Sequence, residues 1–214
     1  MKTLNLRFKD YLNYSWELGD QIVGRKTNDQ NQPVPRGRDP KLYEYVQEQR
    51  KQTGSKSMLC YCSFTLATHW SRPQVYEDVK DKKFIYFGNM YERHKKNKAK
   101  PHPADEYLSF LDDLKKSKFI ISPRGNGVDC YRNWDALYEK TIPIVCPREC
   151  PIMSAYTDLP FLFIDDYAEL TEEFLTNEYE RILETEYDFS RLFIGHWEQL
   201  FRPRRLNKYV TLFR

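Results

Sequence analysis

Five short apolar runs, at 58–64, 84–87, 119–122, 142–145 and 161–164, alternate with stretches whose apolar residues recur at helical spacing. The spacing predicts a helix over 41–52, with Leu42, Tyr45, Val46 and Gln49 on one face. A second covers 72–80, with Pro73 in its first turn, where a missing N–H costs nothing. A third covers 105–116, with Tyr107, Leu108, Leu111 and Leu114 inward. Further helices are expected over 130–140, about 167–185 and about 188–201. Strands alternating with helices imply βαβ units, so the fold class is α/β: a Rossmann-like parallel sheet with helices on both faces. In such sheets ligands bind at the carboxyl ends of the strands, near the point where the strand order reverses.

The composition supports a packed core. Hydrophobic residues make up 40% and aromatics 15% of 214 residues, which argues against global disorder. Sixteen Tyr and thirteen Phe against eight Gly point to an aromatic-rich core and a stacking surface. The length suits one compact domain or two small lobes. No apolar run approaches the roughly 18–20 residues of a membrane span, and the charged N-terminus has no signal-peptide core. The expectation is a soluble, cytoplasmic protein.

Charge is uneven. Residues 1–100 carry 20 Lys/Arg against 11 Asp/Glu, and residues 101–214 carry 14 against 20. A basic first half suits an acidic ligand such as a nucleotide, a glycan or a nucleic acid, although most such lysines simply solvate a surface. The five cysteines, Cys60, Cys62, Cys130, Cys146 and Cys150, read as reduced thiols. No second ligand pair accompanies Cys146 and Cys150, and His69, His94, His102 and His196 are scattered, so no metal is expected.

The stretch 24–40, GRKTNDQNQPVPRGRDP, reads as a long loop, 95–100 as a lysine-rich loop, and 202–214 as a basic tail. The expected division is a cap or acceptor-side segment over 1–56, a nucleotide-sugar-binding domain over 57–200 and a tail over 201–214.

The segment 119–145, FIISPRGNGVDCYRNWDALYEKTIPIV, carries the chemistry. A strand runs into Pro123-Arg124-Gly125-Asn126-Gly127, where the glycines let backbone approach a ligand without an intervening Cβ. The next helix starts near Asp129, a plausible N-cap, and its free N–H groups face the same crevice. Arg124 in the loop and Arg132 in the first helical turn suit a pyrophosphate. Asp135, three residues on, shares a face with Arg132 and suits ribose hydroxyls. By spacing alone, a plain strand–loop–helix–strand unit with a surface Arg pair is equally consistent.

The residues themselves go further. Pro123-Arg124-Gly125, Arg132-Asn133-Trp134-Asp135-Ala136-Leu137 and Ile142-Pro143-Ile144-Val145 resemble the exostosin-like glycosyltransferases, as do Leu159-Pro160-Phe161 and Ile164-Asp165-Asp166-Tyr167 downstream. The resemblance covers about residues 105–175. It departs at Glu139-Lys140-Thr141, where the family has small residues and Gly-Cys. Upstream, His69-Trp70-Ser71-Arg72 is loosely similar to the family's Thr-His-x-x-Arg segment, which makes Arg72 a further phosphate contact.

The resemblance implies a GT-B-like enzyme with a reduced N-terminal acceptor side. Such an enzyme moves a sugar from a nucleoside diphosphate sugar, UDP-linked by preference, to a glycan or sugar acceptor, with inversion. It implies donor contacts from Arg72, Arg124, Gly125, Asn126, Gly127, Arg132 and Asp135. Arg132 would also stabilise the leaving diphosphate in place of a metal. The general base is sought among His69, Glu17, Asp20 and Asp39, with His69 favoured. A second copy or partner could complete the acceptor site. The alternatives are a metal-dependent GT-A enzyme using Asp165 and Asp166, and a non-catalytic nucleic-acid or glycan-binding module, though no nucleic-acid-binding motif is present.

Overall fold

The computed structural model describes residues 3–16, 55–88, 103–127, 130–149, 151–193 and 195–197. The helix expected over 41–52, the loops at 24–40 and 95–100, and the tail lie outside these residues. The described elements are β1 (Asn5–Arg7), α1 (Phe8–Tyr11), β2 (Met58–Cys62), α2 (Arg72–Val79), β3 (Ile85–Phe87), α3 (Pro103–Lys116), β4 (Ser117–Ile121), α4 (Tyr131–Tyr138), β5 (Ile142–Val145), β6 (Leu162–Phe163), α5 (Glu172–Glu184) and β7 (Glu186–Asp188).

Five strands form one parallel sheet in the order β3-β2-β4-β5-β6. This is a mixed α/β, Rossmann-like architecture, compatible with a GT-B fold. The strand order reverses between β2 and β4, so the switch point lies there.

The strand periodicity of two assigns side chains to faces. Cys60, Cys62, Phe119 and Ile121 enter one apolar cluster with Val75 and Val79 of α2 and Leu175, Tyr179 and Ile182 of α5. Tyr61 and Ile120, the alternate residues, enter the other with Tyr107, Phe110, Leu111 and Leu114 of α3. Pro143 sits within β5, where a proline removes a ladder donor. The carbonyl of Ile144 bonds β4 and that of Val145 bonds β6, so Pro143 faces the β6 side. Leu162 pairs with Ile144, and the missing N–H falls before that strand begins.

The described N-terminal residues are built into this same core. β1 pairs antiparallel with β7, Asn5 opposite Asp188. Phe8 and Tyr11 are fully buried, and Tyr11 stacks on Phe189 with ring centroids 3.9 Å apart while its hydroxyl donates to Leu137 O.

Two expected helices are revised. The one at 167–185 is a 3-10 turn at Tyr167–Glu169, then α5, because the Thr171 hydroxyl accepts from Phe174 N and starts a new helix. The one at 188–201 begins instead as the end of β7 and a 3-10 turn, Phe189–Leu192. Strand pairing with β1 and the Asp188 cap on Ser190 N override the helical pattern there.

Candidate active site at the carboxyl end of the sheet

β2 ends at Cys62 and β4 at Ile121, and the loops that follow them meet over the switch point. Two arginines cross it in opposite directions. Arg72 opens α2, on the β2 side, and reaches the loop after β4: its Nε donates to Arg124 O at 2.7 Å and its Nη2 to Pro123 O at 3.3 Å. Its Nη1 donates to Thr65 O at 2.9 Å. Arg132 lies in the first turn of α4, on the β4 side, and its Nε donates to Ser63 O beyond β2 at 3.0 Å. Its Nη1 lies 3.5 Å from Ser122 Oγ, which is itself held by Asn133 Oδ1 at 2.6 Å.

Both guanidiniums are nearly enclosed, Arg72 being 5% and Arg132 9% exposed. Burial, and then the positive charge of Arg132, lower the pKa of Arg72 to about 10. Among the described residues no carboxylate pairs with either one; only the ring of Phe64 lies against both. Two like charges buried together, with no carboxylate in direct contact among the described residues, favour an anion beside them.

Arg72 is occupied differently from what the sequence suggested. Three of its donors hold backbone carbonyls, so it clamps the glycine loop. A Cβ on Gly125 would come within 3.0 Å of Arg72 Nη2, so the glycine makes room for the arginine. Asn126 is exposed and Gly127 half-buried at the loop's outer turn. Arg132 Nη2 has no hydrogen-bond partner among the described residues.

Around this pair three enclosed polar atoms lack hydrogen-bond partners: Arg124 Nε, Glu149 Oε2 and Tyr167 Oη. Arg124 Nη1 donates to Glu149 O at 3.3 Å, which ties the glycine loop to the turn after β5. Burial and the nearby Glu149 carboxylate push the Tyr167 pKa well above its ordinary value, so it stays a hydroxyl donor. Four further buried polar atoms share this lack of a partner, Ser63 Oγ, Trp16 Nε1, Asp158 Oδ1 and His196 Nδ1, so it is their closeness to the arginines that distinguishes these three. Glu149 was not singled out in the sequence, and Tyr167 stood only as the last residue of Ile164-Asp165-Asp166-Tyr167, with no role attached. The ends of β5 and β6 bring both to the arginines.

Other expected residues fall elsewhere. Asp129, the expected N-cap, lies outside the described residues, and Cys130 occupies the N-cap position without a side-chain cap bond. Asp135 is buried and accepts from Tyr107 Oη at 2.8 Å, so it faces α3. Asp166 caps the turn after β6 by accepting from Ala168 N at 2.9 Å. Asp165 offers its backbone carbonyl to Cys146 Sγ and Arg148 Nη2. Among the described residues no group of three His, Cys, Asp or Glu side chains is placed to hold a metal ion. Cys60, Cys62, Cys130 and Cys146 are free thiols, and burial raises Cys62 to about 12.

His69 has a defined tautomer. Ser71 N donates to its Nδ1 at 3.3 Å, and the Ser71 hydroxyl lies 2.9 Å from the same nitrogen. A backbone N–H can only donate, so Nδ1 is an acceptor and the neutral ring carries its proton on Nε2.

Two buried arginines and a glycine loop thus meet at the switch point. The chain matches the RXYLT1 C-terminal domain family over residues 41–214. It belongs to that family. RXYLT1 is an exostosin-like xylosyltransferase, which agrees with the exostosin-like character of residues 105–175. Membership makes the chain a member of a glycosyltransferase family, with sugars as the substrate class. The comparison with curated proteins gives no significant match. In this RXYLT1-family chain Lys140 stands where exostosin-like sequences carry glycine, and its φ is +59°. Thr141 N bonds Ala136 O at 2.8 Å and Lys140 N bonds Leu137 O at 3.0 Å, a Schellman end to α4 that favours glycine at this position. No helix among the described residues is long and apolar enough to cross a membrane.

Proposed function

We propose that this chain transfers a sugar from a nucleoside diphosphate sugar, UDP-linked by preference, to a glycan or sugar acceptor. Kinship with RXYLT1 makes xylose the first sugar to test. The observation that carries the reading is the buried Arg72–Arg132 pair, uncompensated among the described residues, at the switch point.

In this reading the diphosphate lies over the glycine loop. Arg132 Nη2 and the Arg124 side chain bind its oxygens, and the first turn of α4 adds its positive end. Arg72 holds the loop in shape. As the acceptor oxygen bonds to the anomeric carbon, the carbon–oxygen bond to the diphosphate breaks and its electron pair leaves with the phosphate. Arginines positioned beforehand stabilise that charge without a divalent cation. The acceptor proton needs a base. It passes to a carboxylate, with Glu17, Asp20 and Asp39 the candidates outside the described residues, because His69 has its Nδ1 lone pair engaged by Ser71. We therefore assign His69 the part of a hydrogen-bond donor. Inversion and a GT-B arrangement accompany this reading.

A thermal-shift screen with UDP-, GDP-, CMP- and dTDP-sugars in EDTA tests it. At a hundredfold excess over Kd, binding adds about 2.7 kcal/mol. That corresponds to roughly 5–10 °C in Tm for a chain of this size. A UDP-sugar should give the largest rise. Equal, negligible shifts for every nucleotide sugar, with and without Mg²⁺, would sink the proposal.

A further inference from the structure

We infer that Trp70 and His69 form a sugar-binding subsite, the place where the acceptor ring rests beside the diphosphate crevice. The inference rests on the glycosyl-transfer reading of the arginine pair and extends it to the second substrate. Trp70 is 85% exposed, whereas tryptophan is on average among the most buried residue types. Its indole leaves much of the roughly 150–250 Å² an aromatic side chain can bury facing water. Its backbone is also held at a fixed place. It sits at the tip of a turn closed by Arg72 N donating to His69 O at 3.3 Å. Thr68 Oγ1 donates to Thr65 O at 3.0 Å, and the same carbonyl receives Arg72 Nη1 at 2.9 Å. The arginine that shapes the glycine loop therefore also fixes the turn that presents Trp70.

The neighbouring group narrows the chemistry of the occupant. The His69 ring lies 5.3 Å from that of Trp70, tilted by 36°. With Nδ1 engaged by Ser71, its Nε2–H is left to donate, and Nε2 has no partner among the described residues. An aromatic face beside a fixed donor matches a pyranose, which offers a C–H face to the ring and hydroxyl oxygens at its edge. Ser71 is buried, so Trp70 does not belong to a continuous apolar strip of the kind a helix or lipid would cover. Across the switch point Tyr131, 40% exposed, opens α4 immediately before Arg132. Exposed aromatic residues thus flank the crevice on the β2 side and the β4 side.

Calorimetric titration of the full chain with xylobiose, lactose and chitobiose, each with and without UDP, tests the subsite. At least one disaccharide should bind saturably. The W70A variant should weaken it about tenfold, and W70F, which keeps an aromatic face, about threefold or less. H69A should weaken it severalfold, while UDP affinity stays within twofold in W70A and W70F. The same disaccharide affinity in W70A as in the unaltered protein overturns the subsite. So does the absence of saturable binding by all three disaccharides in the presence of UDP. Failure of the unaltered chain to bind UDP would instead count against the arginine site, whatever W70A does to sugar binding.

Discussion

The two ends of the parallel sheet handle buried positive charge in opposite ways. At the amino end, Lys56 inserts its ammonium among three acceptors: Glu139 O at 2.8 Å, Thr141 Oγ1 at 2.9 Å and Leu114 O at 3.3 Å. Those acceptors include carbonyls at the ends of α3 and α4, where the helix dipole is negative. Thr141 Oγ1 in turn donates within this group, to Leu114 O or Ser117 O. Both of these donors find acceptors within the chain. At the carboxyl end, among the described residues, Arg132 Nη2, Arg124 Nε, Glu149 Oε2 and Tyr167 Oη have no hydrogen-bond partner. One end satisfies its buried cation from within the chain, and the proposed donor site sits at the end that does not.

Substitutions can break or sharpen this contrast. The largest effect is expected from R72A, which removes three charge-assisted bonds to loop carbonyls. It should destabilise the fold by about 3 kcal/mol in guanidinium chloride unfolding and abolish UDP binding. R132A should spare most of the stability yet weaken UDP about 100-fold, or roughly 2.7 kcal/mol, in calorimetry. A full-affinity R132A protein would remove the arginine pair from donor binding.

At the other end the effect is one of pH. Burial lowers the Lys56 pKa from 10.5 to about 7. Between those values the unfolded chain holds a proton that folded Lys56 has released, so stability rises with pH. Below pH 7 both states hold it and this slope vanishes. The unaltered protein should gain stability over K56M between pH 7 and 9, by at most about 1.4 kcal/mol per pH unit. Parallel curves for the two proteins would mean that the ammonium stays charged. The smallest effect is a gain. K140G should relieve the left-handed backbone at φ +59° and raise stability by about 0.5–1 kcal/mol net of the added freedom of the unfolded chain. Its UDP affinity should not change.

The sheet was legible because each strand is a short apolar run, and a run buried on both faces announces itself without reference to its neighbours. Pro73 and Thr171 mark helix starts by local chemistry of the same kind. The pairing of β1 with β7 was not legible. Residues 5–7 and 186–188 form three-residue strands whose partners lie some 180 positions away, so no periodicity develops in either. That is why 3–16 read as part of a separate cap, although Phe8 and Tyr11 are fully buried in the main core. At the site, the glycine loop and both arginines could be found from order and residue type. Their tasks could not. Whether Arg72 faces a ligand or the carbonyls of Pro123 and Arg124 depends on how two loops cross, and Asp135 turned toward Tyr107 because α3 packs beside α4.

The Tyr11–Phe189 stack also bears on biosynthesis. Its two rings are separated by 178 residues of chain, so the first is synthesised long before its partner exists. At about 5–20 residues per second, the wait on the ribosome is on the order of ten seconds or longer. Through that interval Phe8 and Tyr11 stay exposed to holding chaperones and to other nascent chains, while strands β2 to β6 emerge in turn. Completion of the core is thus a late, non-local event, and yield in a cell should respond to translation speed and chaperone supply more than the compact central sheet suggests.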